Sequence, residues 1–150
     1  MATVRVQTAE FDIGAEFAAL AAGRSDIGGI GCFVGTVRAT AGGRPITAMT
    51  LEHYPAMTER AMAAIGAEAE GRWHLLGCTL IHRVGRLRPG EGIVLVLAAA
   101  HRQAALEATS FLIDWLKTSA PFWKKESFAD GTEAWVAARA EDDRAAARWG

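Results

Sequence analysis

Eight consecutive apolar residues, Ile93 to Ala100 (IVLVLAAA), set the strongest constraint on what this chain can become. The run is far short of the ~20 residues that a membrane-spanning helix needs. It also shows no polar alternation, so the strand it predicts is covered on both faces, in the centre of a sheet. A second apolar run, Leu75 to His82, precedes it, and Arg-Leu-Arg-Pro-Gly-Glu at 86–91 joins the two like a hairpin connection. A strand buried on both sides requires layers above and below it, and the rest of the chain has to supply them.

The supply is mixed. Val4 to Gln7 predicts a first edge strand, Ala15 to Ala22 a short helix, and Gly29 to Val37 a glycine-rich strand ending at Arg38. Ala-Gly-Gly-Arg-Pro within 40–45 marks a turn, and Ile46 to His53 resumes an alternating strand. Pro55 suits the first turn of a helix, where its missing N–H costs nothing, and helical spacing continues to Gly71. The clearest helix carries Ala104, Ala108, Phe111, Leu112 and Trp115 on one face and Gln103, Glu107, Ser110, Asp114 and Lys117 on the other. Pro121 ends it, since the residue before a proline avoids the helical region. Asp130-Gly131 is a turn, Ala134 to Ala137 a short strand, and the Ala-rich stretch from Glu141 a helix. The sum is an α+β fold with a mostly antiparallel sheet. With 150 residues, no repeat and no linker composition, residues 1–150 are expected to form a single domain.

Sixteen Lys and Arg against seventeen Asp and Glu give a net charge of −1, so no overall field draws the chain to nucleic acid or to an anionic membrane. The N-terminus lacks the layout of a signal peptide. Two cysteines, Cys32 and Cys78, are too few for a disulfide framework, and their apolar surroundings predict core positions in a reduced, cytoplasmic protein. The histidines at 53, 74, 82 and 101 form no ligand pair, so no metal is expected. Gly29, Gly31 and Gly35 come near a dinucleotide fingerprint, but the spacing is wrong and no helix pattern follows. There is no nucleophile elbow and no P-loop.

What remains is a set of cations at element ends. Arg38 closes a strand, His101 and Arg102 stand where the buried strand meets the long helix, and Lys117 lies in that helix's last turn. Lys124 and Lys125 follow the Pro121-Phe122-Trp123 break. Such groups can build a local pocket for phosphate or carboxylate in a chain of near-zero net charge. They also have ordinary uses: Lys117 complements a helix dipole, and the lysines lay their stems along apolar surface.

The motifs carrying these residues resemble one family. FVGTVR (33–38), LEHYPAMTE (51–59), IHRVGRLRPGE (81–91), AHRQAALEA (100–108), LKTSAPFWKKE (116–126) and WVAAR (135–139) occur in the order found in the large, catalytic subunits of molybdopterin synthase. The resemblance implies an α+β fold with a hammerhead-like subdomain, and a sulfurtransferase of molybdenum cofactor biosynthesis. Such an enzyme converts cyclic pyranopterin monophosphate into molybdopterin. It takes two sulfurs from the C-terminal Gly-Gly thiocarboxylate of a small ubiquitin-like subunit. The resemblance further implies a homodimer of large subunits with a small subunit on each, and no cofactor. By matching position, it makes Lys117 and Lys124 catalytic. Thr36, Val37, Arg38, His101, Arg102, Lys117, Lys124, Lys125 and Glu126 match the substrate-binding positions.

Two other readings stand beside it. A non-catalytic adaptor would bind the ubiquitin-like partner and a phosphate ligand without turnover, and would have no use for Lys117 and Lys124. A phosphate-binding domain acting alone would need no partner.

Overall fold

The computed structural model describes residues 2–136 and 140–150. The predicted central strand is β7 (Gly92–Ala100), and Leu95 to Ala99 along it have no exposed surface. It pairs antiparallel with β5 (Gly77–Arg83), Leu80 opposite Val96 and Ile81 opposite Leu95. β1 (Thr3–Gln7) adds parallel to β5, and β2 (Gly29–Thr36) adds antiparallel to β7, giving the order β1-β5-β7-β2. The expected α+β class with mostly antiparallel pairing is therefore what forms.

One face of this sheet is covered by α2 (Pro55–Trp73) and α3 (Arg102–Thr118), whose Met62, Ile65, Phe111 and Leu112 meet Leu80, Val94 and Val96. The other face holds Ile81, Leu95 and Leu97 beneath Phe11 and Leu20, the latter on α1 (Ile13–Ala21). Each fully buried leucine or isoleucine contributes about 1.5–3 kcal/mol. α1 starts two residues before its predicted Ala-rich stretch, because Asp12 caps it by accepting from the Ala15 N–H at 3.0 Å.

A second sheet of five strands positions the site. β4 (Arg44–His53) runs along its middle, between β8 (Phe122–Phe128) and the two short strands β3 (Thr40–Ala41) and β6 (Gly85–Leu87), and β9 (Glu133–Trp135) borders β8. β6 was hidden in the sequence: the connection between β5 and β7 does join antiparallel neighbours, but midway it lends three residues to the other sheet. β8 was also missed, and what reads as a break after Pro121 is a full strand. β9 begins one residue before the predicted Ala134 and ends at Trp135; Ala137, Ala138 and Arg139 lie outside the described residues.

Two further expectations are corrected. The buried face of α3 comprises Ala105, Ala108, Phe111, Leu112 and Leu116, so Ala105 and Leu116 replace Ala104 and Trp115. Both sets have helical spacing, and packing decides between them. Cys78 is core, 1% exposed, but Cys32 is exposed because β2 is an edge strand with one side uncovered.

α4 (Ala140–Ala147) returns the chain to α3. Beyond it, the Trp149 indole donates to Asp114 at 2.7 Å and packs edge-on against Trp73 and Phe111, while Arg72 donates to the Trp149 carbonyl at 3.1 Å. α3 itself is seated on β2 at Gly31, where a Cβ would stand 2.2 Å from Thr109 Oγ1 and 2.6 Å from the Ala105 carbonyl. Gly31→Ala is expected to cost about 1–3 kcal/mol through overpacking against backbone. Gly71→Ala, in α2 with open space around it, should instead stabilise by about 0.5–1 kcal/mol. Guanidinium denaturation midpoints of the two variants would shift in opposite directions.

Candidate functional site

Two irregularities open a cavity between the sheets. The β2–β7 register shifts between Gly35 and Thr36, and the β4–β8 register shifts between Ile46 and Ala48. Such shifts bend a strand and re-aim its end. Past the first of them the chain turns Thr36 and Arg38 into a cavity of about 280 Å³, and Ile46 lines it at the second.

α3 supplies the next wall. Its last turn brings in Leu116, Lys117 and Thr118, and the chain then reverses, with Ser119 N–H bonded to the Trp115 carbonyl at 2.8 Å. β8 starts at once and places Phe122, Trp123, Lys124 and Glu126 on the lining. Lys117 and Lys124 thus flank one chain reversal and face the same space. Trp135 from β9 and Asp142 from α4 complete the rim. Among the described residues, the cations Arg38, Lys117 and Lys124 share the lining with the carboxylates Glu126 and Asp142.

Beneath the lysines lies His82, 2% exposed, with the Phe122 ring stacked on it at 3.8 Å between centroids and Nδ1 donating to the Arg83 carbonyl at 2.9 Å. Burial first, and then the neighbouring charges of Lys124 and Lys117, push its pKa down to about 3. The ring therefore stays neutral at physiological pH and adds no charge under the cavity. Neither cysteine is activated. Burial raises the Cys78 thiol to about 12, and it also moves Cys32 up from the usual thiol range.

The structure does not gather all the expected site residues. Thr36, Arg38, Lys117, Lys124 and Glu126 line the cavity together. Val37 belongs to the core, 3% exposed, with its N–H bonded to the Glu91 carbonyl and its own carbonyl accepting from Gly90. Lys125 is off the cavity lining and pairs with Glu133 at 3.2 Å. His101 and Arg102 are exposed at the start of α3, about 22 Å along the helix from Lys117 at 1.5 Å per residue. They do not enter this chain's cavity. Sequence reasoning missed Asp142, which nothing distinguishes within an Ala-rich acidic helix. Trp135 it found only as part of a motif.

An α+β scaffold carrying lysines, an arginine and aromatic rings around an open cavity is the class of structure suited to a small anionic ligand. Comparison with known proteins narrows this class. The family described as MoaE protein matches residues 6–119. A molybdopterin synthase catalytic subunit of Pseudomonas aeruginosa is 54% identical, over 97% of this chain and 97% of its own length. A MoaE protein of molybdopterin biosynthesis from Burkholderia ambifaria superposes with a TM-score of 0.84 at 53% identity, covering 100% of this chain and 99% of that one. The fold alone is shared, at 19% identity and a TM-score of 0.73 over 91% of each chain, with a Helicobacter pylori structure solved as a complex of subunits 1 and 2 of molybdopterin-converting factor. The chain belongs to the MoaE family, which includes the catalytic subunits of molybdopterin synthase.

The buried neutral histidine gives a pH prediction. Between pH 6.5 and about 3 the unfolded chain binds a proton at His82 that the folded chain refuses, so stability falls as pH drops through that window. The slope from this group reaches at most about 1.4 kcal/mol per pH unit. Denaturation of His82→Gln at pH 7 and pH 4 should show a shallower dependence than the native chain.

Proposed function

We propose that this chain is the sulfur-installing subunit of a cytoplasmic molybdopterin synthase. It converts cyclic pyranopterin monophosphate into molybdopterin with two sulfurs delivered by the C-terminal thiocarboxylate of a small ubiquitin-like partner. The convergence of Arg38, Lys117 and Lys124 on one cavity carries this reading: in a chain of net charge −1, three of the expected cations line the same space. Both the cyclic phosphate of the substrate and the thiocarboxylate of the donor are anions, and preorganised cations stabilise them without reorganising during reaction. Among the described residues no helix is long and apolar enough to cross a membrane.

The residues divide the task. Arg38, a planar fork at the end of its strand, takes the phosphate. Lys117 steers the thiocarboxylate and stabilises charge as sulfur attacks the pterin, and Lys124, across the chain reversal, moves protons or holds the tail. Glu126 and the backbone around Thr36 orient the substrate between them. Val37 contributes by anchoring the strand end in the core, and Lys125 by tying β9 to β8. The partner brings the sulfur, so neither cysteine thiol is needed. His101 and Arg102 serve the cavity of a second large subunit in a homodimer, which is why one chain leaves them exposed far from its own lysines. The complex solved for the Helicobacter pylori protein supports two different subunits working together.

Sulfur transfer with the thiocarboxylated partner, followed by mass spectrometry, tests the reading. The native chain should yield dithiolene product, and Lys117→Ala should lose about 10²-fold or more in kcat/KM. Partner binding without product from the native chain would leave only the adaptor. Mixed dimers test the residues supplied in trans. Lys117→Ala and Arg102→Ala homodimers should each be impaired, whereas a dimer of one of each keeps one intact cavity. It should recover about half of the native rate.

A further inference from the structure

Among the described residues, none from the stretch IHRVGRLRPGE (81–91) lines the cavity. Two of its charged side chains are nevertheless built into the structure beside it. Arg83 is 6% exposed. Its Nε and Nη2 donate to the Thr8 carbonyl at 3.2 and 2.9 Å, and its Nη1 donates to the Gly92 carbonyl at 3.1 Å. Nη1 also stands 3.7 Å from Glu91 Oε1. A guanidinium buried this far needs a counter-charge as well as acceptors, and Glu91 supplies it.

The Glu91 carboxylate has a second task. Its Oε2 accepts from the Arg88 N–H, while the Glu91 N–H donates to the Arg88 carbonyl at 3.0 Å. Residues 88–91 close on themselves in this way as Arg-Pro-Gly-Glu, with Pro89 at the first corner and Gly90, at φ +89°, at the second. Proline presets the first corner of such a turn, and glycine accepts the positive φ of the second. The Arg88 N–H first, and the charges of Arg83 and Arg88 after it, hold the Glu91 carboxyl below the usual carboxylate range.

The closed turn grips the strand end that carries Arg38. The paired register of β2 with β7 ends at Thr36 opposite Gly92, just past the shift. Val37 is then held from both sides: its N–H donates to the Glu91 carbonyl at 3.0 Å, and its carbonyl accepts from the Gly90 N–H at 2.8 Å. The peptide groups before and after Val37 are both fixed by residues 90 and 91, and Arg38 hangs from the second of them on the cavity lining.

We propose that Glu91 is a positioning residue for the phosphate site: anchored by Arg83, it closes the 88–91 turn that clamps Val37, and through that clamp it aims Arg38 at the phosphate. This rests on the sulfur-transfer reading above, in which Arg38 takes the phosphate. Without the carboxylate, the Arg83 cation loses its counter-charge, the Arg88 N–H loses its acceptor, and the turn loosens under Val37. A planar fork pairs with phosphate oxygens in a narrow geometry, so it suffers when its backbone shifts.

The test is sulfur transfer by the full chain with the thiocarboxylated partner, read as dithiolene product by mass spectrometry, in the native chain, Glu91→Ala, Arg38→Ala and the double variant. Glu91→Ala should raise KM for the pterin about 10-fold, a loss within the range that a misplacement of ~1 Å produces. KM for the partner and kcat should stay within about 3-fold of native. In the Arg38→Ala background the same substitution should change kcat/KM for the pterin by less than about 2-fold, because no fork is left to aim. Equal losses in the two backgrounds would overturn the inference, and so would matching rises in KM for both substrates, since either describes a general loosening of the fold. Native kinetics in Glu91→Ala would overturn it as well. Glu91→Gln keeps an acceptor for the Arg88 N–H and serves if the alanine variant does not fold; a rise of about 3-fold in KM for the pterin is expected there, and no rise would count against the proposal. A native chain that forms no product overturns the sulfur-transfer reading itself. That result is distinct from a native chain that works and a Glu91→Ala chain that works equally well.

Discussion

The antiparallel pairing of β4 with β8 is the contact on which the site depends. It brings residues 46–53 against residues 122–128, two stretches separated by all of α2, the central strands and α3. Without it, Lys124 and Glu126 would trail from the end of α3 with no fixed relation to Lys117. With it, the strand is held by seven register pairs, and the chain reversal at Ser119–Pro121 becomes a rigid corner with a lysine on each side. The pairing is non-local, and its loop-closure cost is met by the apolar side chains it brings inward, Ile46, Leu51 and Phe128.

Charge and burial are separated in layers around that corner. The cations are at the cavity surface, where a ligand can reach them. Directly below is a layer of stacked rings, the neutral His82 on Phe122 and Phe122 towards His53 at 6.1 Å. A charged imidazole there would repel the lysines, and burial removes that charge. The pocket's positive character therefore comes from Arg38, Lys117 and Lys124 on its lining and not from the histidine beneath them.

Much of this fold was legible in the sequence because hydrophobic periodicity reports burial. The unbroken run of β7 gave its central place, and the stripe on α3 gave the helix with an error of one position at Ala104 and Trp115. The failures have physical reasons. β8 reads Phe-Trp-Lys-Lys-Glu-Ser-Phe, which lacks clean alternation because its polar Lys124 and Glu126 line a cavity and its apolar Trp123 is left exposed. β6 has three residues, too few for any period. Cys32 sits in an apolar stretch, yet an edge strand leaves it uncovered. Lys117, Lys124 and Arg38 were identified by their motifs, and the cavity brings them together. His101 and Arg102 match the same motifs but stand about four turns of helix away from Lys117.

The short strand β6 has a mechanical consequence. After Arg83 the chain leaves the first sheet, gives Gly85–Leu87 to β4 in the second, and comes back at Gly92 as the most buried strand of the first. The two sheets are thereby stitched together through the middle of a central hairpin rather than at a peripheral loop. Shear between them pulls directly on β5 and β7, the strands with the most to lose. The lysine-bearing sheet cannot peel from β5 and β7 without disturbing the core, so amide exchange in β4 and β5 is expected to follow one shared opening.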